Sequence, residues 1–166
     1  MDLGLKGKVA LVSGGSEGIG RAAALSMSEE GANVVICARR ADVLNRAADD
    51  IRRATGGKVL AVPADVTRIE QIQSLFETII AELDDIDILV NNAGASSEMA
   101  FEAAGDETWQ VDLDLKLFAA VRSSWLAVPH MRARGGGRII NITTFGGKVP
   151  EAASIPTSVS GLLELL

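Results

Sequence analysis

No tyrosine occurs anywhere in this chain, so no phenol with a pKa of about 10 is available as an acid or base. A single cysteine, Cys37, excludes an intramolecular disulfide and leaves too little sulfur for a cysteine-based zinc site, so no metal centre is expected. Cys37 stands inside an apolar run and reads as a buried, inert thiol. No apolar run approaches the ~18 residues that cross a bilayer, so no membrane partner is expected. The opening Met1-Asp2-Leu3-Gly4-Leu5-Lys6 lacks the apolar core of a secretory signal, which points to a cytoplasmic protein. Basic residues are in the minority, and the net charge of −6 speaks against nucleic acid as a partner. A phosphate can still bind locally, because a helix N-terminus brings its own partial positive charge.

What is present alternates. Lys8 to Ser13, Asn33 to Ala38, Lys58 to Val62, Ile86 to Val90 and Arg138 to Thr143 are short, near-continuous apolar runs that read as buried strands. Helical patterns fill the intervals: Gly18 to Glu30, Ala41 to Ala54 with Gly56-Gly57 as stop signal, and a long one from Asp106 to Met131. The helix after strand three is the clearest. Ile69, Ile72, Leu75, Phe76, Ile79, Ile80 and Leu83 recur at spacings of three and four, with Thr67 and Glu70 placed to form a capping box. The stretch from Gly146 to Ser160 reads as loop, and Gly161 to Leu166 as a short apolar helix or frayed end. Strand–helix alternation with apolar strands implies an α/β doubly wound parallel sheet, and right-handed crossovers make 3-2-1-4-5 the natural strand order.

The chemistry begins at Ser13-Gly14-Gly15-Ser16-Glu17-Gly18-Ile19-Gly20, a glycine turn that follows a strand and opens a helix. Glycines there permit a tight turn and close backbone approach, and the helix N-terminus aims free N–H groups at a pyrophosphate. The spacing, Gly14-x-x-x-Gly18-x-Gly20, is wider than the common dinucleotide fingerprint. With Asp65-Val66 after strand three and Asn91-Asn92-Ala93-Gly94 after strand four, it resembles the short-chain dehydrogenase/reductase family. Trp109 and the strand from Gly137 to Ile142 agree, and the resemblance runs to about Thr157.

The resemblance implies a single Rossmann-like NAD(P)-binding domain over residues 1–166, incomplete at the C-terminus. It implies that Gly14, Ser16, Glu17, Gly18 and Ile19, with Gly20 closing the turn, line the pyrophosphate and ribose of the cofactor. Asp65 and Val66 would then meet the adenine, and Asn92, Ala93 and Gly94 the nicotinamide ribose. Cofactor choice turns on the end of strand two. A carboxylate there selects NAD; here Ala38 takes that position and Arg39-Arg40 follow, which favours NADP with NAD as the alternative. Glu17 in the glycine loop argues the other way.

The catalytic half departs from the family pattern of serine, tyrosine, lysine and asparagine. The serine position falls on Thr144, the tyrosine on Thr157, the lysine on Gly161 and the asparagine on Asp114, within the stretch Asp112 to Lys116. Thr144 keeps a hydroxyl that can orient a carbonyl, and Asp114 can hold a water. Thr157 cannot replace a tyrosine, because an alkyl alcohol is a far weaker acid than a phenol and Gly161 brings no ammonium to assist it. His130, the only histidine, suits the C-terminal dipole of the long helix, and Lys148 lies in the loop after strand five.

Three functional readings follow. One is an oxidoreductase moving hydride between NAD(P)(H) and a small carbonyl or alcohol substrate. The second is a catalytically silent dinucleotide-binding protein, and the third a fragment without a function of its own. A methyltransferase needs an acid at the end of strand two, which Ala38 does not supply. Family domains continue beyond the point where this chain ends, so an open sheet edge, exposed apolar surface and homo-oligomeric association are expected.

Overall fold

A computed structural model of the chain describes residues 2–96, 99–150 and 154–163. Five parallel strands form its centre: β1 (Val9–Ser13), β2 (Asn33–Ala38), β3 (Val59–Pro63), β4 (Ile88–Asn91) and β5 (Arg138–Asn141). They lie side by side in the order β3-β2-β1-β4-β5, the doubly wound order that the alternation predicts. The connections are helical: α1 (Gly18–Glu29), α2 (Ala41–Thr55), α3 (Ile69–Leu83), then α4 (Asp106–Leu113) and α5 (Ala119–Ala133) before β5.

Strand side chains alternate between faces, and each face meets its own pair of helices. Leu11, Val35 and Leu89 pack on Ile72, Leu75 and Ile79 of α3 and on Ala127 and Met131 of α5. Val12, Ile36 and Val90 pack instead on Ala24 of α1 and on Leu44, Ala48 and Ile51 of α2. β5 is different: all four of its residues are exposed, and its outer edge carries no strand among the described residues.

Asp87, just before β4, ties three strands together. Its N–H donates to Val9 O and its carbonyl accepts from Arg138 N. Its buried carboxylate accepts from Val9 N at 2.9 Å, from Lys8 Nζ at 3.1 Å and from Arg134 Nε at 3.1 Å.

Three local expectations are corrected. The capping box at α3 does not form: Arg68 is the N-cap, and Thr67 Oγ1 donates to Asp65 Oδ1 at 2.8 Å. Asp65 wins because its carboxylate also takes the Thr67 N–H, closing a tight local turn. The long helix is interrupted by a π turn at Asp114–Phe118, which separates α4 from α5. Finally, the segment expected as loop contains a 3-10 turn at Phe145–Gly147 and a helix, α6 (Ile155–Leu163). Thr157, Ser158, Ser160 and Gly161 have weak helix propensity, so their pattern hid it. Packing against the 3-10 turn, α4 and the π turn supplies what propensity lacks. Residues 164–166, the end of the expected apolar stretch, lie outside the described residues.

Candidate dinucleotide and catalytic site

At the carboxyl ends of β1 and β4 the strand order reverses, and the connections leave the sheet on opposite faces. A cavity of about 790 Å³ opens there, within the range of small-molecule sites. Gly14, Ser16, Glu17, Gly18 and Ile19 form its floor, Ala38, Arg39 and Arg40 one end, Asp65 and Val66 a wall, and Asn92, Ala93 and Gly94 the other end. With Leu115 of the π turn, residues from five separate stretches of sequence therefore line one space. Gly20 does not line it and serves behind it.

The glycine loop is held by groups that point away from the cavity. Gly14 and Gly18 have φ of 65° and 55°, which an L side chain adopts at a cost. No atom lies within 4 Å of where a Cβ on Gly18 would stand, so this residue leaves its face of the cradle open. Ser13 Oγ accepts from the N–H groups of Asn92 and Ala93 at 2.9 and 3.0 Å. The Asn92 amide donates to Ser13 O at 2.9 Å and Gly14 O at 3.3 Å. Its side chain is thus a buttress for the loop. A Cβ on Gly20 would collide with that same amide and with Gly14 O, so the third glycine makes room for the buttress.

Charge is graded along the cavity. Arg40 forms an ion pair with Glu17, so the acid of the glycine loop is neutralised by the arginine that follows β2. Burial pushes the Asp65 carboxyl up, but hydrogen bonds from Thr67 and the charges of Arg39 and Arg68 outweigh it and hold it below the usual range. Cys37, at the cavity's base, is fully buried. Burial pushes its thiol up to about 12 against a lowering hydrogen bond from the Gly14 backbone, so it stays protonated and unreactive.

Thr144, Thr157 and Gly161, expected at catalytic positions, lie where the 3-10 turn and α6 pack together near the π turn, and neither they nor Asp114 line the cavity. Thr144 caps the 3-10 turn, accepting from Gly146 N at 3.3 Å. Its Cγ2 stands 2.5 Å from where a Cβ on Gly161 would be, so the threonine methyl fills the space that a side chain at 161 would need. Asp114 turns to Gln110 Nε2 at 2.9 Å and to Arg122 at 3.2 Å. The residue that reaches Thr157 is Lys116: its ammonium, 8% exposed, donates to Thr157 Oγ1 at 2.9 Å and to Asp112 Oδ1 at 2.6 Å. Sequence reasoning had placed no role on Lys116. The available signal was a charged pair four residues apart, Asp112 and Lys116, amid Leu113, Leu115 and Leu117.

His130 pairs with Asp85 at 3.2 Å, and Lys148 is exposed. Among the described residues no cluster of His, Cys, Asp and Glu could hold a metal ion, and no helix is long and apolar enough to cross a membrane.

Comparison with known proteins places this geometry. Residues 8–160 match the family model described as short chain dehydrogenase. The oxidoreductase YvrD of Bacillus subtilis is 36% identical over 160 residues, covering 96% of this chain and 60% of that protein. The 7alpha-hydroxysteroid dehydrogenase of Escherichia coli is 33% identical over 147 residues, covering 89% of this chain and 57% of its own length. L-sorbose reductase from Gluconobacter frateurii, solved with NADPH and L-sorbose, superposes with a TM-score of 0.96 at 39% identity, over 99% of this chain and 63% of that one. The chain thus spans less than two thirds of the length of these relatives.

Proposed function

The chain belongs to the short-chain dehydrogenase family, and on that premise we propose that it is an oxidoreductase binding NADPH and acting on a small carbonyl compound or alcohol. The observation that carries the cofactor choice is the end of the cavity beyond β2, where Arg39 and Arg40 stand and Ala38 replaces the acid that would hold a free 2′-hydroxyl. Guanidinium groups suit a 2′-phosphate, and the Glu17 charge that would repel it is taken up by Arg40.

The residues present fit such a cofactor. The open face at Gly18 and the first turn of α1 offer backbone N–H groups to a pyrophosphate. Thr67 occupies Asp65 Oδ1, which leaves Oδ2 to accept from the adenine amine. When bound, the reduced cofactor supplies a hydride. Asn92 fixes the loop, Ala93 and Gly94 bound the far end, and Leu115 covers the cavity from the π turn.

Arg39→Ser is the test of cofactor choice. NADPH affinity should fall about 10- to 100-fold, the loss of a charge-assisted contact of roughly 1.5–3 kcal/mol, while NADH affinity barely moves. Equal losses for both cofactors in a fluorescence titration would remove the phosphate-binding role.

A second reading, dinucleotide binding without turnover, is favoured by Thr157 and Gly161 at the tyrosine and lysine positions. Following nicotinamide absorbance with a carbonyl panel that includes L-sorbose separates the two.

Self-association belongs to the same proposal. Phe118, Val121 and Trp125 are spaced along one face of the π turn and α5 and are 39%, 52% and 68% exposed. Sedimentation should show the wild type above monomer mass and Trp125→Glu at monomer mass; identical profiles would discard this face.

A further inference from the structure

We propose that Arg122 of α5 is a positioning residue for the cavity: it holds the turn from Asp65 to Thr67 so that the Asp65 carboxylate selects a purine bearing an amino group over one bearing a carbonyl. The inference rests on the dinucleotide-binding reading above. Asp65 stands in the cavity wall just after β3, and its neighbours bind it from within the turn. Thr67 donates to Asp65 Oδ1 from its N–H at 3.0 Å and from its hydroxyl at 2.8 Å. Arg68 N donates to Asp65 O at 3.0 Å, and Asp65 N donates to Gln71 Oε1 at 2.7 Å. A side chain from another element then reaches in: Arg122 Nη1 donates to Thr67 O at 2.9 Å, across 55 residues of sequence.

The arginine is committed to this place from three sides. Its guanidinium is a planar fork of donors, and a second arm meets Asp114 Oδ1 at 3.2 Å. The group also lies over the Phe118 ring, 5.3 Å from the centroid. Asp114 is itself held, because Gln110 Nε2 donates to its Oδ2 at 2.9 Å. Thr67 precedes the N-cap Arg68, so its carbonyl stands outside the α3 ladder and is open to a side-chain donor. Arg122 and Asp114 remain 29% and 26% exposed, and such a pair adds little to stability. Its location is what matters. Val66, next to Thr67, and Leu115, next to Asp114, both line the cavity, so one guanidinium ties together two segments of its wall.

Base selection follows from the carboxylate. Burial alone would raise the Asp65 carboxyl, yet the Thr67 hydrogen bonds and the charges of Arg39 and Arg68 keep it ionised. An ionised carboxylate accepts hydrogen bonds and cannot donate them. With Oδ1 taken by Thr67, Oδ2 accepts from the exocyclic amine of adenine and repels the carbonyl that hypoxanthine carries at the same position. Such a bond weakens steeply with angle, so the selection lasts only while the turn keeps its place in the wall. Releasing Thr67 O lets the carboxylate swing, whereas the glycine loop, braced separately by Asn92, keeps its shape.

The test titrates the full chain with NADPH and with reduced nicotinamide hypoxanthine dinucleotide phosphate, read by nicotinamide fluorescence. Wild type should prefer NADPH by about 10-fold, the effect of one charge-assisted hydrogen bond. In Arg122→Met the preference should fall to about twofold or less, with affinity for the hypoxanthine nucleotide within about twofold of wild type. A merely structural role would weaken both nucleotides alike. In an Asp65→Ala background, Arg122→Met should move neither affinity by more than about twofold, because the arginine acts through Asp65. In the wild type, the guanidinium 15N resonances of Arg122 should shift on adding adenosine 2′,5′-bisphosphate and stay in place on adding nicotinamide mononucleotide.

Arg122→Met that keeps the wild-type preference overturns the proposal, as does an equal loss for the two nucleotides or a further loss in the Asp65→Ala background. If Arg122→Met does not fold, Arg122→Gln takes its place under the same criteria. Arg122 resonances that ignore adenosine 2′,5′-bisphosphate also overturn it, with no variant required. Wild type that binds both nucleotides equally overturns the proposal and leaves the dinucleotide-binding reading standing. Binding of neither overturns both.

Discussion

Gly20→Ala should lose NADPH binding and stability together, by about 100-fold in affinity and roughly 2–3 kcal/mol in unfolding free energy. Ordinarily the same change inside a helix stabilises by up to about 1 kcal/mol, because glycine is a poor helix former. Here the added Cβ lands on the Asn92 amide and on Gly14 O. Asn92 must then leave, and with it go its hydrogen bonds to Ser13 O and Gly14 O, which hold the glycine loop in shape. Two lost bonds plus overpacking outweigh the propensity gain. A domain of this size should lose about 5–10 °C in Tm. Calorimetry and an NADPH titration on the same sample check both parts. A Gly20→Ala protein that melts higher than wild type would show that Asn92 does not brace the loop.

A comparable loss is expected for Asp87→Ala, about 2–3 kcal/mol, without any direct effect on the cavity. The carboxylate is 5% exposed, and removing it strands the Val9 N–H and leaves Lys8 and Arg134 facing each other. The lower part of the range for broken buried pairs applies, because Lys8 and Arg134 remain 46% and 41% exposed to water. Asp87 also makes stability depend on pH. Burial pushes its carboxyl up, but the Val9 N–H, Lys8 and Arg134 more than reverse this, so the folded group titrates below the usual carboxylate range. Its contribution is therefore complete above the unfolded pKa of about 3.9 and disappears as pH falls through the lower folded value. Asp87→Asn keeps an acceptor for Val9 but not the charge, so its acid-unfolding curve should be flatter than that of wild type below about pH 4. Parallel acid limbs would show that the carboxylate is not held in its charged form.

Both predictions concern contacts between β1 and the start or end of β4, residues nearly 80 positions apart in the chain. The strands themselves were legible without those contacts. Val9 to Ser13 and Asn33 to Ala38 carry the apolar, β-branched runs of buried parallel strands, and α3 carries a stripe at helical period. The residues that line the cavity were legible for a related reason. Gly14, Gly18, Asp65 and Asn92 stand at strand ends, where a doubly wound sheet delivers its loops to one crevice. Less could be read of the segments from Asp106 onward. α6 was hidden behind serine, threonine and glycine, and the contact of Lys116 with Thr157 spans 41 residues that no local pattern joins.

The sequence by itself determined the strand order, the two-faced core, the glycine cradle and the absence of any phenol from the site. These depend on local periodicity and residue type, which survive in a linear reading. Only the tertiary structure decided that Asn92 is a brace, that Arg40 neutralises Glu17 and that Lys116 reaches Thr157 across 41 residues. Such pairings are set by where packed elements bring side chains within hydrogen-bond distance. The π turn and α6 meet because of buried packing that neither segment encodes alone. At Thr157, where the resemblance leads one to expect a tyrosine, the fold has put a buried ammonium against the threonine hydroxyl.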